Sequence, residues 1–443
     1  MSEIEARSVS VQRRFSGLLW NSSGESQFVN SASSVAVRAI SGLTRVGILL
    51  AIARTYGPES FGKLSLVIAI VEILRMFSDF GIDTISIRKF TQTPTAERGE
   101  LLKWILGSKL LLAVCFYGVA AGALFLLAKG SFEVFLGLIA GLSILFSSLL
   151  GAFTSYLQSF FSMSLIFSTT VASSAASVLF ASAAIHMKAS LLLVIAALPL
   201  ADALNLILFC SKSDLRLRPR FDVLQTLSLL RESFPVGITS ALVILYFRLD
   251  TLFVFKFSGA VALGLYSACF RVIEPALMIP SSFSTTAYAV LSAANPGNDS
   301  IARAIRIVLR TMWPAYAAIG GFALTALLAS REFLERFFPM YLQAYPILMV
   351  LSLALVIRSA NMGLTSIFNS RGMYSTITRI AAVNLSVNSM LALLLVPKYG
   401  AVGAALAALI TEGLNTATQL WALAHQAHRA RPSLVMRMVN SQR

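Results

Sequence analysis

The chain has 443 residues, of which 57% are hydrophobic and 13% are charged, and its formal net charge is +16. Soluble domains carry about 25% charged residues, so this composition excludes an ordinary water-soluble protein and indicates a membrane protein. A nucleic-acid-binding protein can be equally basic, but it would need far more polar surface, so we expect no nucleic-acid partner.

Twelve stretches of the chain reach the length of about 20 mainly apolar residues that a bilayer-crossing helix needs. They lie at 34–54, 61–81, 105–127, 132–155, 165–186, 189–210, 233–256, 262–290, 308–330, 344–369, 375–396 and 400–424. The longest polar break, 211–231, divides them into two sets of six. The sequence therefore predicts an all-α, polytopic membrane protein with two pseudo-symmetric six-helix lobes, 31–210 and 232–425. Residues 1–30 and 426–443 are predicted tails, and 211–231 is a predicted cytoplasmic linker.

The distribution of Lys and Arg predicts the orientation. If both termini are cytoplasmic, 21 basic residues fall in cytoplasmic segments and 8 in outside segments. Membrane proteins keep an excess of basic residues in their cytoplasmic loops. We therefore expect both termini in the cytoplasm.

Two short turns suggest that the halves arose by duplication. Gly57–Gly62 links the first two predicted spans, Gly259–Gly264 links the seventh and eighth, and the two G-x4-G patterns are offset by 202 residues. The first turn resembles a nucleotide-binding P-loop, but Leu64 stands where that loop requires Ser or Thr. We therefore predict a tight turn between helices, with no ATP site.

Charged side chains inside the spans are the most informative residues, because charge is costly in hydrocarbon and is expected to face a partner or a wet cavity. Several spans carry one polar face each, which predicts a shared central cavity. The basic set, with one amide beside it, is Arg38, Arg45, Arg75, Arg248, Arg271, Arg358 and Asn361. A guanidinium stays charged when partly desolvated and matches phosphate geometry, so this set favours an anionic, phosphate-bearing cargo.

The alternative is that these arginines only neutralise the acids of the spans in structural pairs. The acids are Glu72, Asp79, Asp202, Asp250, Glu274 and Glu412, six against six arginines. Arg38 and Arg45 are expected to escape pairing best, since their span has no acid of its own, whereas Arg75 and Arg271 are expected to pair locally. Lys109 is expected to reach the membrane interface by snorkelling. A second role, ion coupling through a proton or sodium, remains open for Glu72, Asp79, Asp250, Glu274 and Glu412.

Three patterns in chain order resemble a known family. They are ARTYGPESFG at 53–62 with SDFGI at 78–82, RLDT at 248–251 with GLYSA at 264–268, and VPKYGAVGAA at 396–405. Together they resemble the polysaccharide-biosynthesis (O-antigen) flippases of the MOP (MATE-like) superfamily. The resemblance implies a two-lobed MATE-like fold around a central cavity.

The resemblance also implies a function, namely alternating-access transfer of undecaprenyl-pyrophosphate-linked oligosaccharide across the bacterial inner membrane for O-antigen or exopolysaccharide synthesis. The matching motifs do not identify the substrate contacts, but the arginines inside the spans lead us to expect the pyrophosphate among Arg38, Arg45, Arg248 and Arg358, with the prenyl tail in membrane lipid. An ion gradient or membrane potential would drive the transfer, with no bound cofactor or metal, and the polymerase or export machinery is a possible partner. The alternatives are a MATE-like exporter of drugs or small solutes, and a polysaccharide polymerase or ligase. Such an enzyme usually needs a sizeable external loop, and no predicted outside loop exceeds about 15 residues.

Overall fold

The computed structural model describes residues 24–127, 130–160, 163–213, 219–293 and 301–440, and this part of the chain is built from helices. The side chains of Arg38 and of residues 24–35 and 426–440 lie outside the described part, as do the first 23 residues. Predictions for Arg38 and for most of both tails therefore stay predictions. The α-helices are α1 Gly24–Asp79, α2 Ile82–Gln92, α3 Arg98–Leu127, α4 Ser131–Gln158, α5 Met163–His186, α6 Leu191–Ile195, α7 Ala197–Ser213, α8 Val223–Ile273, α9 Met278–Ala293, α10 Ile301–Phe337, α11 Tyr345–Ser370 and α12 Tyr374–Asn440, with 3-10 turns at Glu274–Leu277 and Pro339–Ala344.

Three of these helices are divided by a glycine. Gly57 in α1, Gly259 in α8 and Gly400 in α12 have non-helical backbone angles, and each division coincides with a boundary between two predicted spans. Each of the twelve predicted spans falls on helix in the structure, although 189–210 is divided between α6 and α7, and 262–290 between the end of α8 and α9. Eight stretches of helix in the described residues are long and apolar enough to cross a membrane, and two of them, 223–293 and 374–425, contain one of these glycines. The chain is a polytopic, all-α membrane protein, as the sequence predicts.

Two helical regions lie where the sequence predicts polar loops. Helix α2 follows the second span, and its Ile82, Ile85 and Phe90 are buried in one apolar cluster with residues of α3 and α4. Because polar residues separate these apolar side chains, the helix contains no apolar run long enough to be predicted as a span. Helix α8 begins at Val223, inside the predicted linker 211–231. Just before α8, Arg220 contacts α3, because its N–H donates to the Lys103 carbonyl at 2.9 Å.

By their internal contacts the residues form two compact units. The first comprises the described residues of Met1–Tyr56 and Lys63–Ile244, and the second comprises the described residues of Gly57–Gly62 and Leu245–Arg443. The division falls inside α8 because the start of that helix packs in the first unit. Leu229 joins the cluster around Phe90, and the Thr226 hydroxyl bonds to that of Ser108 at 2.9 Å.

The two G-x4-G turns adopt the same backbone conformation and contact each other within the second unit. Gly57 has φ 76° and ψ 175°, and Gly259 has φ 82° and ψ −175°, a region that favours glycine. A methyl group on Gly62 would overlap the carbonyl of Ala260, and one on Gly264 would overlap the carbonyl of Pro58. These contacts are reciprocal and keep the offset of 202 residues, as expected of a duplicated element.

Candidate functional site

A cavity of about 510 Å³ lies within the first unit. Both segments of α1 contribute to it, together with α4, α5 and α7. Its polar lining consists of Ser41, Thr44, Arg45, Arg75, Ser143, Ser147, Thr154, Thr170, Ser173, Ser174, Ser177, Asp202 and Asn205. Two of the predicted arginines therefore share one cavity with nine hydroxyl side chains. Apolar residues such as Ile68, Val71 and Phe209 complete the wall.

Arg45 is paired across the cavity wall. Its Nη2 lies 2.6 Å from Oε1 of Glu72, whose side chain is 8% exposed. The expectation that Arg45 escapes pairing is therefore wrong, because the neighbouring span supplies the acid that its own span lacks. The Nε atom of Arg45 is buried and has no hydrogen-bond partner among the described residues.

Arg75 is the cavity arginine without a close acid. In the described part of the chain no carboxylate lies within 4.0 Å of its guanidinium. The charges of Arg45, Asp202, Glu72 and Asp79 act on it from longer range. The expectation that Arg75 pairs locally is therefore wrong. The two acids within one helical turn of it are used elsewhere, Glu72 by Arg45 and Asp79 by Lys109.

Lys109 is held inside the first unit. It is fully buried, and its ammonium group donates to Asp79 at 2.9 Å and to Asp83 of α2. The expectation that Lys109 snorkels to the interface is therefore wrong, because two carboxylates satisfy its charge in place. Asp79 belongs to this triad, so the geometry favours pairing over a free ion-coupling acid.

The cavity hydroxyls of α4 and α5 were missed by sequence reasoning, which concentrated on charge, whereas Asn205 was noted as a polar residue of its span. Ser177 is completely buried and Asn205 is 8% exposed. The Ser147 and Ser177 hydroxyls and the Asn205 Oδ1 are buried without a hydrogen-bond partner in the described structure. The signal in the sequence was the row Thr170, Ser173, Ser174 and Ser177, which recurs at helical spacing along one face of α5.

In the second unit Glu412 binds two of the residues predicted for the substrate cavity, Arg358 and Asn361. Its carboxylate accepts from Arg358 Nε at 2.6 Å, from the Tyr246 hydroxyl at 2.9 Å and from Asn361 Nδ2 at 2.8 Å. The Arg358 guanidinium also stacks 4.5 Å from the centroid of the Phe247 ring. The cavity beside this cluster measures only about 20 Å³, so these groups contact one another rather than an open chamber.

The other predicted intramembrane charges of the second unit also have partners. Glu274 lies 3.4 Å from Arg248 and 2.8 Å from Arg271, which confirms the expected local pairing of Arg271. Asp250 accepts hydrogen bonds from the Tyr266 hydroxyl and, at 2.8 Å, from the Thr251 N–H. Among the described residues no group of three or more His, Cys, Asp and Glu has the arrangement of a metal site.

Comparisons with known proteins agree with this architecture. The family model of the polysaccharide biosynthesis protein matches residues 28–293, which is more than half of the chain, and the MatE model matches 235–394. These matches confirm the resemblance noted from the sequence. Comparison with curated protein sequences finds no match.

Solved structures show the same fold at low identity. Lipid II flippase MurJ in an inward closed conformation superposes with a TM-score of 0.73 at 15% identity, covering 93% of this chain and 92% of that chain. An inward-facing multidrug resistance MATE family transporter of the MOP superfamily gives 0.69 at 11% identity, covering 90% and 99%. A MOP superfamily transporter from Pyrococcus furiosus gives 0.62 at 13% identity, covering 90% and 95%.

Proposed function

Because the chain belongs to the polysaccharide biosynthesis protein family, we propose that it is a flippase for lipid-linked oligosaccharides. Its substrate would be an undecaprenyl-pyrophosphate-linked repeat unit, moved from the cytoplasmic to the outer leaflet of the bacterial inner membrane for O-antigen or exopolysaccharide synthesis. The name of the structural neighbour, a lipid II flippase, supports a lipid-linked saccharide as the substrate class. Both termini would be cytoplasmic, and the polysaccharide polymerase or export machinery would act downstream.

The first-unit cavity is the proposed binding site of the head group. The observation that carries this assignment is Arg75, a guanidinium facing a cavity of about 510 Å³ without a carboxylate within 4.0 Å in the described residues. A cation kept inside a membrane segment without such a pair is expected to serve a ligand or ion. A planar guanidinium binds phosphate oxygens through two parallel hydrogen bonds, so a pyrophosphate suits Arg75 with Arg45 beside it.

The second-unit arginines have a different proposed role. Arg248 and Arg271 share Glu274, and Arg358 is bound to Glu412, so binding a phosphate there would first break an ion pair. We therefore narrow the docking set of the sequence analysis to Arg45 and Arg75, with Arg38 as a candidate whose side chain lies outside the described part. The second-unit pairs would hold their helices in register.

The membrane potential can drive transport of this anionic substrate toward the outer leaflet. Each negative charge that moves outward across an inside-negative membrane gains about 2.3 kcal/mol per 100 mV. The head group would be exposed to one side at a time, with similar affinity in both states, so that it can be released. This mechanism needs no nucleotide and no chemical step, and we accordingly propose a transporter rather than an enzyme.

The test is transport by purified protein in liposomes. Undecaprenyl-pyrophosphate-linked oligosaccharide is placed in the inner leaflet, and its appearance outside is followed with a sugar-binding probe that cannot cross the membrane. We expect wild-type protein to accelerate the transfer over protein-free liposomes, and more so under a potential that drives anions toward the probe. Equal rates with and without protein, for every lipid-linked saccharide tried, would reject the proposal.

A MATE-like exporter is the second candidate, favoured by the MatE match at 235–394. It predicts that cationic drugs bind the cavity, whereas two arginines line it and one has no close acid. Drug susceptibility of a deletion strain separates the two functions. Increased susceptibility with normal surface polysaccharide would favour the exporter.

A further inference from the structure

We propose that the start of α10 is a docking surface for an anionic membrane phospholipid. The surface consists of Arg306, Arg310 and Trp313, which are exposed and follow one another at i, i+4 and i+7 along one face of the helix. The ligand is a lipid whose head group has a net negative charge on its phosphodiester, such as phosphatidylglycerol. It is a resident lipid of the membrane rather than transported cargo, so the inference does not rest on the proposed function.

The first argument is the depth of the two arginines in the membrane. Helix α10 has 37 residues and is therefore about 55 Å long, whereas the hydrocarbon of a bilayer is about 30 Å thick. Tryptophan favours the membrane interface, Trp313 is 63% exposed, and residues 314–330 after it carry no charge. Arg310 and Arg306 lie about 5 and 10 Å before Trp313 along the helix axis, which is the depth of the lipid head groups.

The second argument is that no acid in the described structure neutralises these two arginines. The ion pairs of the described second unit use other arginines, and no carboxylate there lies within 4.0 Å of Arg306 or Arg310. Residues 301–331 and 336–411 contain no Asp or Glu. The nearest acid along the chain, Asp299, lies outside the described part. The surface therefore presents positive charge that a ligand can use.

The charge of this surface selects the head group. Arg379, at the start of α12, is also exposed, and its neighbours Ile377 and Ile380 pack against the same apolar cluster as Val308 of α10. Arg379 therefore adds positive charge at this end of the second unit. A guanidinium binds phosphate oxygens through paired hydrogen bonds, whereas the cation of a zwitterionic head group such as phosphatidylcholine is repelled by the surplus positive charge.

The alternative is that these arginines only orient the chain in the membrane. Orientation depends on the number of basic residues and little on nearby acids. In the first unit, basic residues of the predicted cytoplasmic segments are paired, Lys89 with Glu232 at 2.7 Å and Arg220 with Glu100 at 3.1 Å. Placing arginines and a tryptophan on one helix face without an acid exceeds what orientation requires, and it fits a lipid phosphate.

The experiment measures quenching of single tryptophans by brominated lipids, since bromine quenches only at close approach. Purified full-length protein is reconstituted in phosphatidylcholine bilayers in which either phosphatidylglycerol or phosphatidylcholine carries brominated chains. Two backgrounds keep one of the four tryptophans each, Trp313 or Trp104, with the others replaced by Phe. Trp104 is the internal control, because its ring lies 5.4 Å from the guanidinium of Arg220, which is paired with Glu100.

The test variant is Arg306→Gln with Arg310→Gln. The matched control is Arg331→Gln, which removes an exposed arginine that is paired with Glu335 near the other end of the same helix. Thermal unfolding in detergent checks that each variant is folded. A salt titration of the unsubstituted surface needs no variant, because about 1 M salt shortens the screening length to about 3 Å.

We expect Trp313 to report a preference for phosphatidylglycerol over phosphatidylcholine of about fivefold for each arginine that contacts the head group. At Trp104 the preference should be less than about twofold, because the arginine there is neutralised. The double substitution or high salt should bring the ratio at Trp313 close to one, and Arg331→Gln should leave it unchanged.

Three results would overturn the docking surface. Equal quenching of Trp313 by both lipids would leave the arginines as an orientation signal alone. An equal preference at Trp104 and Trp313 would show that the whole protein attracts anionic lipid. A preference that persists in the folded double variant, or that falls as far in Arg331→Gln, would show that Arg306 and Arg310 do not bind the head group.

Discussion

Replacing Arg75 by Ala is expected to slow transport without unfolding the protein. A hydrogen bond between a charged donor and a charged acceptor contributes about 1.5–3 kcal/mol net. Since 1.4 kcal/mol corresponds to a factor of ten, Arg75→Ala should lower transport efficiency about 10- to 150-fold. Arg75 has no acid within 4.0 Å in the described structure, so the substitution breaks no ion pair and should change the free energy of unfolding by less than about 1 kcal/mol.

Arg45→Ala should behave differently, because it leaves Glu72 buried without its closest cation. Breaking a fully buried pair costs about 3–5 kcal/mol, but the Arg45 side chain is 29% exposed, so we expect about 2 kcal/mol of destabilisation together with slower transport. The comparison of these two variants separates ligand binding from folding.

The assay combines liposome transport with thermal unfolding in detergent. Arg75→Lys keeps the charge but not the planar fork, and should recover part of the rate. Arg54→Ala, at an exposed arginine of the same helix, is the matched control and should match wild type in both measurements. Wild-type transport by Arg75→Ala, or a loss of stability as large as that of Arg45→Ala, would refute the reasoning.

Three further predictions concern stability, measured by thermal unfolding and by the amount of protein in the membrane. Gly62→Ala should destabilise by more than about 2 kcal/mol, because its methyl group would overlap a carbonyl of the paired turn, whereas Gly320→Ala adds a methyl group in open space and should have little effect. Lys109→Met should cost about 2–3 kcal/mol, since it leaves two neighbouring and partly exposed aspartates without their buried cation, while Lys103→Met, at a partly exposed surface pair, should cost less than about 1 kcal/mol. Glu412→Gln should cost about 2–3 kcal/mol, because it removes the charge that binds a buried guanidinium.

Each of these predictions has a contradicting result. Equal stability of Gly62→Ala and Gly320→Ala would contradict the close approach of the two turns. Lys109→Met as stable as Lys103→Met would show that the buried triad does not need its cation. If Glu412→Gln kept wild-type stability and bound phosphate more tightly, Arg358 would again be a candidate for binding the pyrophosphate.

The spans could be predicted from the sequence because they depend on the local chain. The apolar runs mark twelve segments that fall on helix, and the structure shows that Gly57, Gly259 and Gly400 divide helices at or beside the predicted boundaries. The paired G-x4-G turns were also visible, since glycine is required where φ is positive or a carbonyl approaches closely. Helix α2 was missed because its buried face, Ile82, Ile85 and Phe90, is too short to form an apolar run.

The sequence by itself determined that this is a polytopic helical membrane protein with costly charges in its spans, because hydrophobic length and charge are properties of the chain. Only the tertiary structure decided which charges are neutralised. Arg45 and Arg75 look alike in sequence, yet one meets Glu72 of the adjacent segment and the other faces a cavity. Ion pairs form between helices whose relative rotation is set by packing. Only this packing, here of α4, α5 and α7, shows that the hydroxyls of Ser147 and Ser177 are buried without a hydrogen-bond partner in the described structure.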